Sequence, residues 1–86
     1  MHTDEFEISI GREIRLCRKL IWRLKRSIEK KEKRYGISTE DFIEGLNQGR
    51  LLESSPDFAN WQSDCRELAD LERMLGEYQE QLRKLE

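Results

Sequence analysis

The sequence predicts an all-α fold: a long antiparallel helical hairpin, coiled-coil-like, with a short middle helix. Three observations carry this expectation. Apolar residues recur at helical steps through residues 10–35 and again through 56–85. Helix-stop and helix-start residues, Gly36-Ile37-Ser38 and then Gly49 followed by Ser55-Pro56, separate the two stretches. Charged residues make up 40% of the chain and hydrophobic ones 36%, so each helix can carry little more than one apolar stripe. The 86 residues are read as a single helical domain, with residues 1–10 as a candidate mobile tail.

The first long helix is expected over 11–35. Ile10, Ile14, Cys17, Ile21, Leu24, Ile28 and Tyr35 fall at alternating steps of four and three, with Lys31 in the remaining slot, which is a heptad seam. Gly36 suits the left-handed residue just past the helix end. Lys30, Lys31, Lys33 and Arg34 in the last turns suit the negative end of its dipole. A short helix over 38–48 follows, with Ser38 as N-cap, Glu40 and Asp41 in the first turn, and Gly49 beyond its end. The second long helix, 56–85, starts on Ser55 as N-cap and Pro56 at the first helical position. Its stripe is Phe58, Trp61, Cys65, Leu68, Leu71, Leu75, Tyr78, Leu82 and Leu85. Two successive steps of three at Cys65, Leu68 and Leu71 break the strict heptad. Residues 6–10 alternate apolar and polar, which leaves strand, helix or tail open for residues 1–10.

Packing the two stripes against each other with Tyr35 near Phe58 sets Cys17 opposite the region of Gly76, and Cys65 opposite Ile28. The two cysteines would then be roughly 16 Å apart along the axis, well past the ~7 Å Cα limit for a disulfide. Both are expected to be small buried core residues.

The charge is unevenly spread. Residues 12–34 hold eleven basic and three acidic residues, whereas residues 35–86 hold twelve acidic and five basic ones. A basic helix against an acidic one favours the antiparallel hairpin and disfavours parallel self-pairing of like helices. The small core of a two-helix layer calls for completion by another chain. No apolar run is long enough to span a membrane, and the acidic N-terminus has no secretory pattern, so a cytoplasmic location is expected. His2 is the sole imidazole and no phosphate loop or metal-ligand spacing occurs. Neither an enzyme, a cofactor nor a metal site is expected. The first helix is apolar on more than one face, with Leu16 and Leu20 on one flank, Phe6 near them if the helix extends back, and Trp22 on the other flank. Phe6, Leu16, Leu20 and Trp22 are the candidate partner interface, and a protein partner or a homodimer is the expected occupant.

The stretch Glu32-Lys33-Arg34-Tyr35-Gly36-Ile37-Ser38-Thr39-Glu40-Asp41-Phe42, continuing to Gly49-Arg50-Leu51 and Asp57-Phe58-Ala59-Asn60-Trp61, resembles a K-Y-G-M-S-x-E-E-F … G-x-L … D-x-x-x-W pattern. That pattern belongs to small helical proteins of prokaryotic genomes, many resembling the antitoxin halves of toxin–antitoxin pairs. Ile37 stands for the usual Met, Arg34 and Asp41 keep the charge of Lys and Glu, and Leu52-Glu53-Ser54 replaces a commoner Gly-Asp-Asp. The resemblance spans about residues 30–75 and implies a protein-binding role, with no catalytic residues to carry over. The leading expectation is an antitoxin-like module that binds and masks a toxin. The alternatives are a self-associating structural coiled coil and a basic-helix nucleic-acid binder, the latter ranked lower because the basic stripe faces an acidic helix.

Overall fold

A computed structural model describes residues 5–51 and 55–85. Among the described residues it is built from three helices, α1 (Glu5–Tyr35), α2 (Thr39–Asn47) and α3 (Pro56–Lys84). The two long helices pack against each other as an antiparallel hairpin, and α2 sits at the closed end. The molecule is 59 Å in its longest dimension and 21 Å and 17 Å in the others.

The first helix starts at Glu5, six residues before the expected boundary. Residues 5–10 are therefore helix, which corrects the tail reading for them; residues 1–4 lie outside the described residues. The physical reason is visible in the spacing. Phe6, Ile10 and Ile14 are also i, i+4 neighbours on one helix face, and Ile10 and Ile14 are buried. Glu5 and Glu7 in the first turn favour the positive end of the dipole.

Breaks and caps follow the local chemistry. Gly36 has φ 68° and Gly49 φ 75°, the left-handed conformation in which glycine avoids a Cβ clash. The Gly36 amide closes α1 by donating to the Glu32 carbonyl at 2.8 Å. The Ser38 hydroxyl accepts the Asp41 amide at 3.1 Å, satisfying one open donor of α2. Ser55 has the extended N-cap backbone, but its hydroxyl makes no capping bond; Pro56 alone, which has no amide hydrogen, serves that end of α3.

The core falls into two clusters along the hairpin. At the closed end Ile28, Phe42 and Trp61 are buried, with Ile37, Leu46, Leu51, Phe58, Cys65 and Leu68 around them. Farther out Cys17, Ile21 and Leu71 are buried, with Leu20, Leu24, Leu68, Met74, Leu75 and Tyr78 packed on them. Leu68 joins the two. Cys17 and Cys65 belong to different clusters, and both thiols are free. Cys65 is only half-buried, because it lies at the α2–α3 margin and not on the α1–α3 seam.

Two heptad rows meet along one edge of the hairpin. On α1 the row runs Phe6, Glu13, Leu20, Ser27, Arg34; on α3 it runs Asp57, Asp64, Leu71, Tyr78, Leu85. Its closed-end rungs are polar. Arg34 reaches Asp57 at 2.8 Å, and the Ser27 hydroxyl donates to Asp64 at 2.8 Å. The next rung, Leu20 and Leu71, is apolar and lies in the outer cluster. The Glu32 carboxylate, which anchors α2, lies about 140° around α1 from Ser27 at ~100° per residue. The short helix thus covers the opposite edge and leaves this one open.

Candidate protein-binding surface

The residues of the sequence pattern converge on the closed end, where they build the turn. Phe42 and Trp61 are fully buried, with rings stacked 3.9 Å apart and nearly parallel. Phe58 meets Phe42 edge-on at 5.3 Å and Tyr35 at 5.1 Å, favoured aromatic geometries. The Trp61 indole N–H donates to the Thr39 hydroxyl at 3.2 Å. That hydroxyl in turn donates to the Glu32 carboxylate at 2.8 Å, which also accepts the Thr39 amide at 2.8 Å. Every polar atom of the tryptophan side chain is thereby paired as burial requires. Gly45 is buried under Leu51, whose side chain would stand 2.8 Å from a Cβ at that position. Its carbonyl accepts both Arg50 N–H and Leu51 N–H, folding the chain back over α2. Residues 52–54, the replaced connector, lie outside the described residues.

Two ionic groups lock this end from the open edge. Asp57 accepts the Tyr35 hydroxyl at 2.6 Å and the Arg34 guanidinium at 2.8 Å. The tyrosine bond first, and then the arginine, hold the Asp57 carboxyl below the usual carboxylate range. Donation to Asp57 raises the Tyr35 hydroxyl. Lys31, the one charged residue on the α1 seam, is half-buried, and its ammonium reaches Asp64 at 3.1 Å and Ser27 at 2.9 Å. A lysine in a seam slot specifies register, since sliding the helices would strand its charge. Burial, followed by Glu13, pushes the Cys17 thiol up; burial, followed by Asp64, pushes the Cys65 thiol up. Both thiols are thus disfavoured as nucleophiles at neutral pH. Among the described residues no group of three or more His, Cys, Asp or Glu is placed to hold a metal. Likewise, among them no helix is long and apolar enough to cross a membrane.

The four expected interface residues divide. Leu16, 49% exposed, lies beside the open edge, and Phe6 is half-exposed at its far end. Leu20 is partly buried against the outer cluster, so it supports that edge from within. Trp22 is 61% exposed and stands about 160° around α1 from Leu20. The Arg26 guanidinium lies 5.4 Å from its ring centroid, a cation–π contact. Ile8 is also exposed, fourteen residues before Trp22 on the same heptad row and so roughly 21 Å away, with Arg15 between them. Arg15, Arg18, Lys19 and Lys25 surround this tryptophan at helical spacing. Met74, which falls off the α3 stripe, is partly buried on the outer cluster. Its position three after Leu71 and four before Tyr78 is the signal that places it on the open edge.

A further apolar cleft of about 310 Å³ runs between α2 and α3, lined by Ile43, Leu46, Cys65 and Ala69. Comparison of the chain with protein-family models, with curated proteins and with solved structures finds no match.

Proposed function

We propose that this chain is a non-enzymatic protein-binding module of antitoxin-like character, which engages and masks a partner toxin through the Trp22 flank of α1. The observation that carries the reading is Trp22 itself. An indole left 61% in solvent, ringed by arginine and lysine, has the residue types that dominate protein–protein hot spots. The hairpin does not use this exposed ring for its own core. The basic surroundings fit a partner with an acidic surface and a pocket for one aromatic ring. The resemblance of residues 32–61 to antitoxin-like proteins supports the same role. It does so through the fold, because those residues build the turn that holds α1 and α3 together.

The test is co-expression with the protein encoded beside it. Relief of that protein's toxicity, and co-purification of the two chains, is the expected outcome. Trp22→Ala should weaken the complex by about 2 kcal/mol or more while leaving helical content unchanged. Unrelieved toxicity would remove the antitoxin role. Retention on DNA or RNA that falls steeply with salt would replace it with a basic-helix nucleic-acid binder.

A further inference from the structure

We infer that the open edge of the hairpin is a self-association surface, occupied by a second copy of this chain whose α1 lies on α3 of the first. The edge is the outer half of the paired heptad rows, where Leu20, Leu71 and Tyr78 form a floor flanked by Leu16 and Met74. On the opposite edge α2 covers the closed end; among the described residues nothing covers this one.

Two observations select a second copy. The first is area. The accessible surface is 6547 Å², whereas a compact monomer of 10.4 kDa exposes about 5,400 Å². The radius of gyration is 17.1 Å, against about 12 Å for a compact chain of this length. The excess, on the order of 1,100 Å², slightly exceeds the ~800 Å² each partner buries in a standard interface. The elongated hairpin thus exposes enough surface for one contact of standard size.

The second observation is charge. α1 has eleven basic against five acidic residues, net +6, and α3 has seven acidic against four basic, net −3. On the rim of the edge, Leu16 is bordered by Arg12, Lys19 and Arg23, and Met74 by Glu67, Asp70 and Glu77, all exposed. A two-fold axis parallel to the helices lays each α1 on the other copy's α3. Basic rim then meets acidic rim, and Leu16 of one copy faces Met74 of the other. A two-fold axis across the helices would stack α1 on α1, basic on basic, and is disfavoured. The result is a four-helix bundle in which every neighbouring pair is antiparallel and of opposite charge.

The experiment is mass measurement by light scattering and sedimentation on the full chain. Wild type should give twice 10.4 kDa at micromolar concentration. Leu16→Glu, at a half-exposed position that the monomer fold tolerates, should weaken the dimer about 30-fold or more with unchanged circular dichroism. Adding Met74→Lys should restore the dimer, since the introduced carboxylate then faces an introduced ammonium on the other copy. A wild-type chain that stays at 10.4 kDa up to millimolar concentration, or a Leu16→Glu dimer as tight as wild type, would overturn the surface. A double variant that stays monomeric would overturn the pairing of α1 with α3. Trp22→Ala, on the far flank, should leave the mass unchanged, so failure here and failure of the toxin-binding role read out separately.

Discussion

Asp57 connects α1 to α3 through two short bonds to Tyr35 and Arg34, and its ionisation is tied to folding. Its carboxyl is depressed in the folded chain from an unfolded value near ~3.9. Its contribution is therefore complete above that unfolded value and is lost as pH falls through the depressed folded one. Thermal unfolding of wild type and Asp57→Asn should differ at about pH 6–7, and the gap should narrow below about pH 4. A gap independent of pH would mean that the contact, and not the charge, carries the effect. The pairing was half legible: Asp57 reads as a first-turn acid beside Pro56, but its two partners come from 22 and 23 residues earlier in the chain. The same holds for Lys31. Its slot on the seam could be read from spacing, while Asp64 and Ser27 as its partners emerge only when the helices are set side by side.

The helices themselves were largely legible because their signals are local. Gly36, Ser38 and Gly49 act within a turn of where they stand, and the structure uses each as its chemistry predicts. One boundary departed for an identifiable reason, and one expected cap is unused. The first helix runs back to Glu5 because Ile10 and Ile14 find burial, which alternation over five residues could not distinguish from a strand. The Ser55 hydroxyl makes no capping bond, and Pro56, with no N–H to satisfy, is the start signal that this end retains. Gly76 sits exposed within α3, with open space where a Cβ would be. Gly76→Ala should therefore stabilise the chain by about 0.5–1 kcal/mol, raising the unfolding midpoint by a few degrees. A neutral or lower midpoint would show that α3 needs flexibility there, next to the local heptad break.

At the scale of the molecule the hairpin is unequal along its length. The closed end is three helices deep around Phe42 and Trp61, whereas the outer half is two helices with no third helix on either edge. Local opening follows the density of buried contacts. In native-state hydrogen exchange at low concentration, amides near Ile28 and Trp61 should be the slowest, and those near Ile14 and Tyr78 should exchange through partial opening. Raising the concentration should protect the outer half selectively, as binding of a second copy stabilises whatever it covers. Uniform protection along α1 at all concentrations would contradict both the unequal hairpin and the bundle.

By itself the sequence determined an all-helical hairpin, its turns, and the opposition of a basic to an acidic long helix. These rest on spacing and capping, which act over a few residues. It also identified α1 as the helix with apolar surface to spare. Only the tertiary structure decided which of those residues are spare. Leu20 went into the outer cluster, Leu16 to the open edge and Trp22 to the far flank, because α3 packs on the α1 face that carries Cys17, Ile21 and Leu24. At the closed end, α2 is placed by Glu32, Thr39 and Trp61 meeting across three helices; both arrangements are contacts between helices, which no single helical wheel contains.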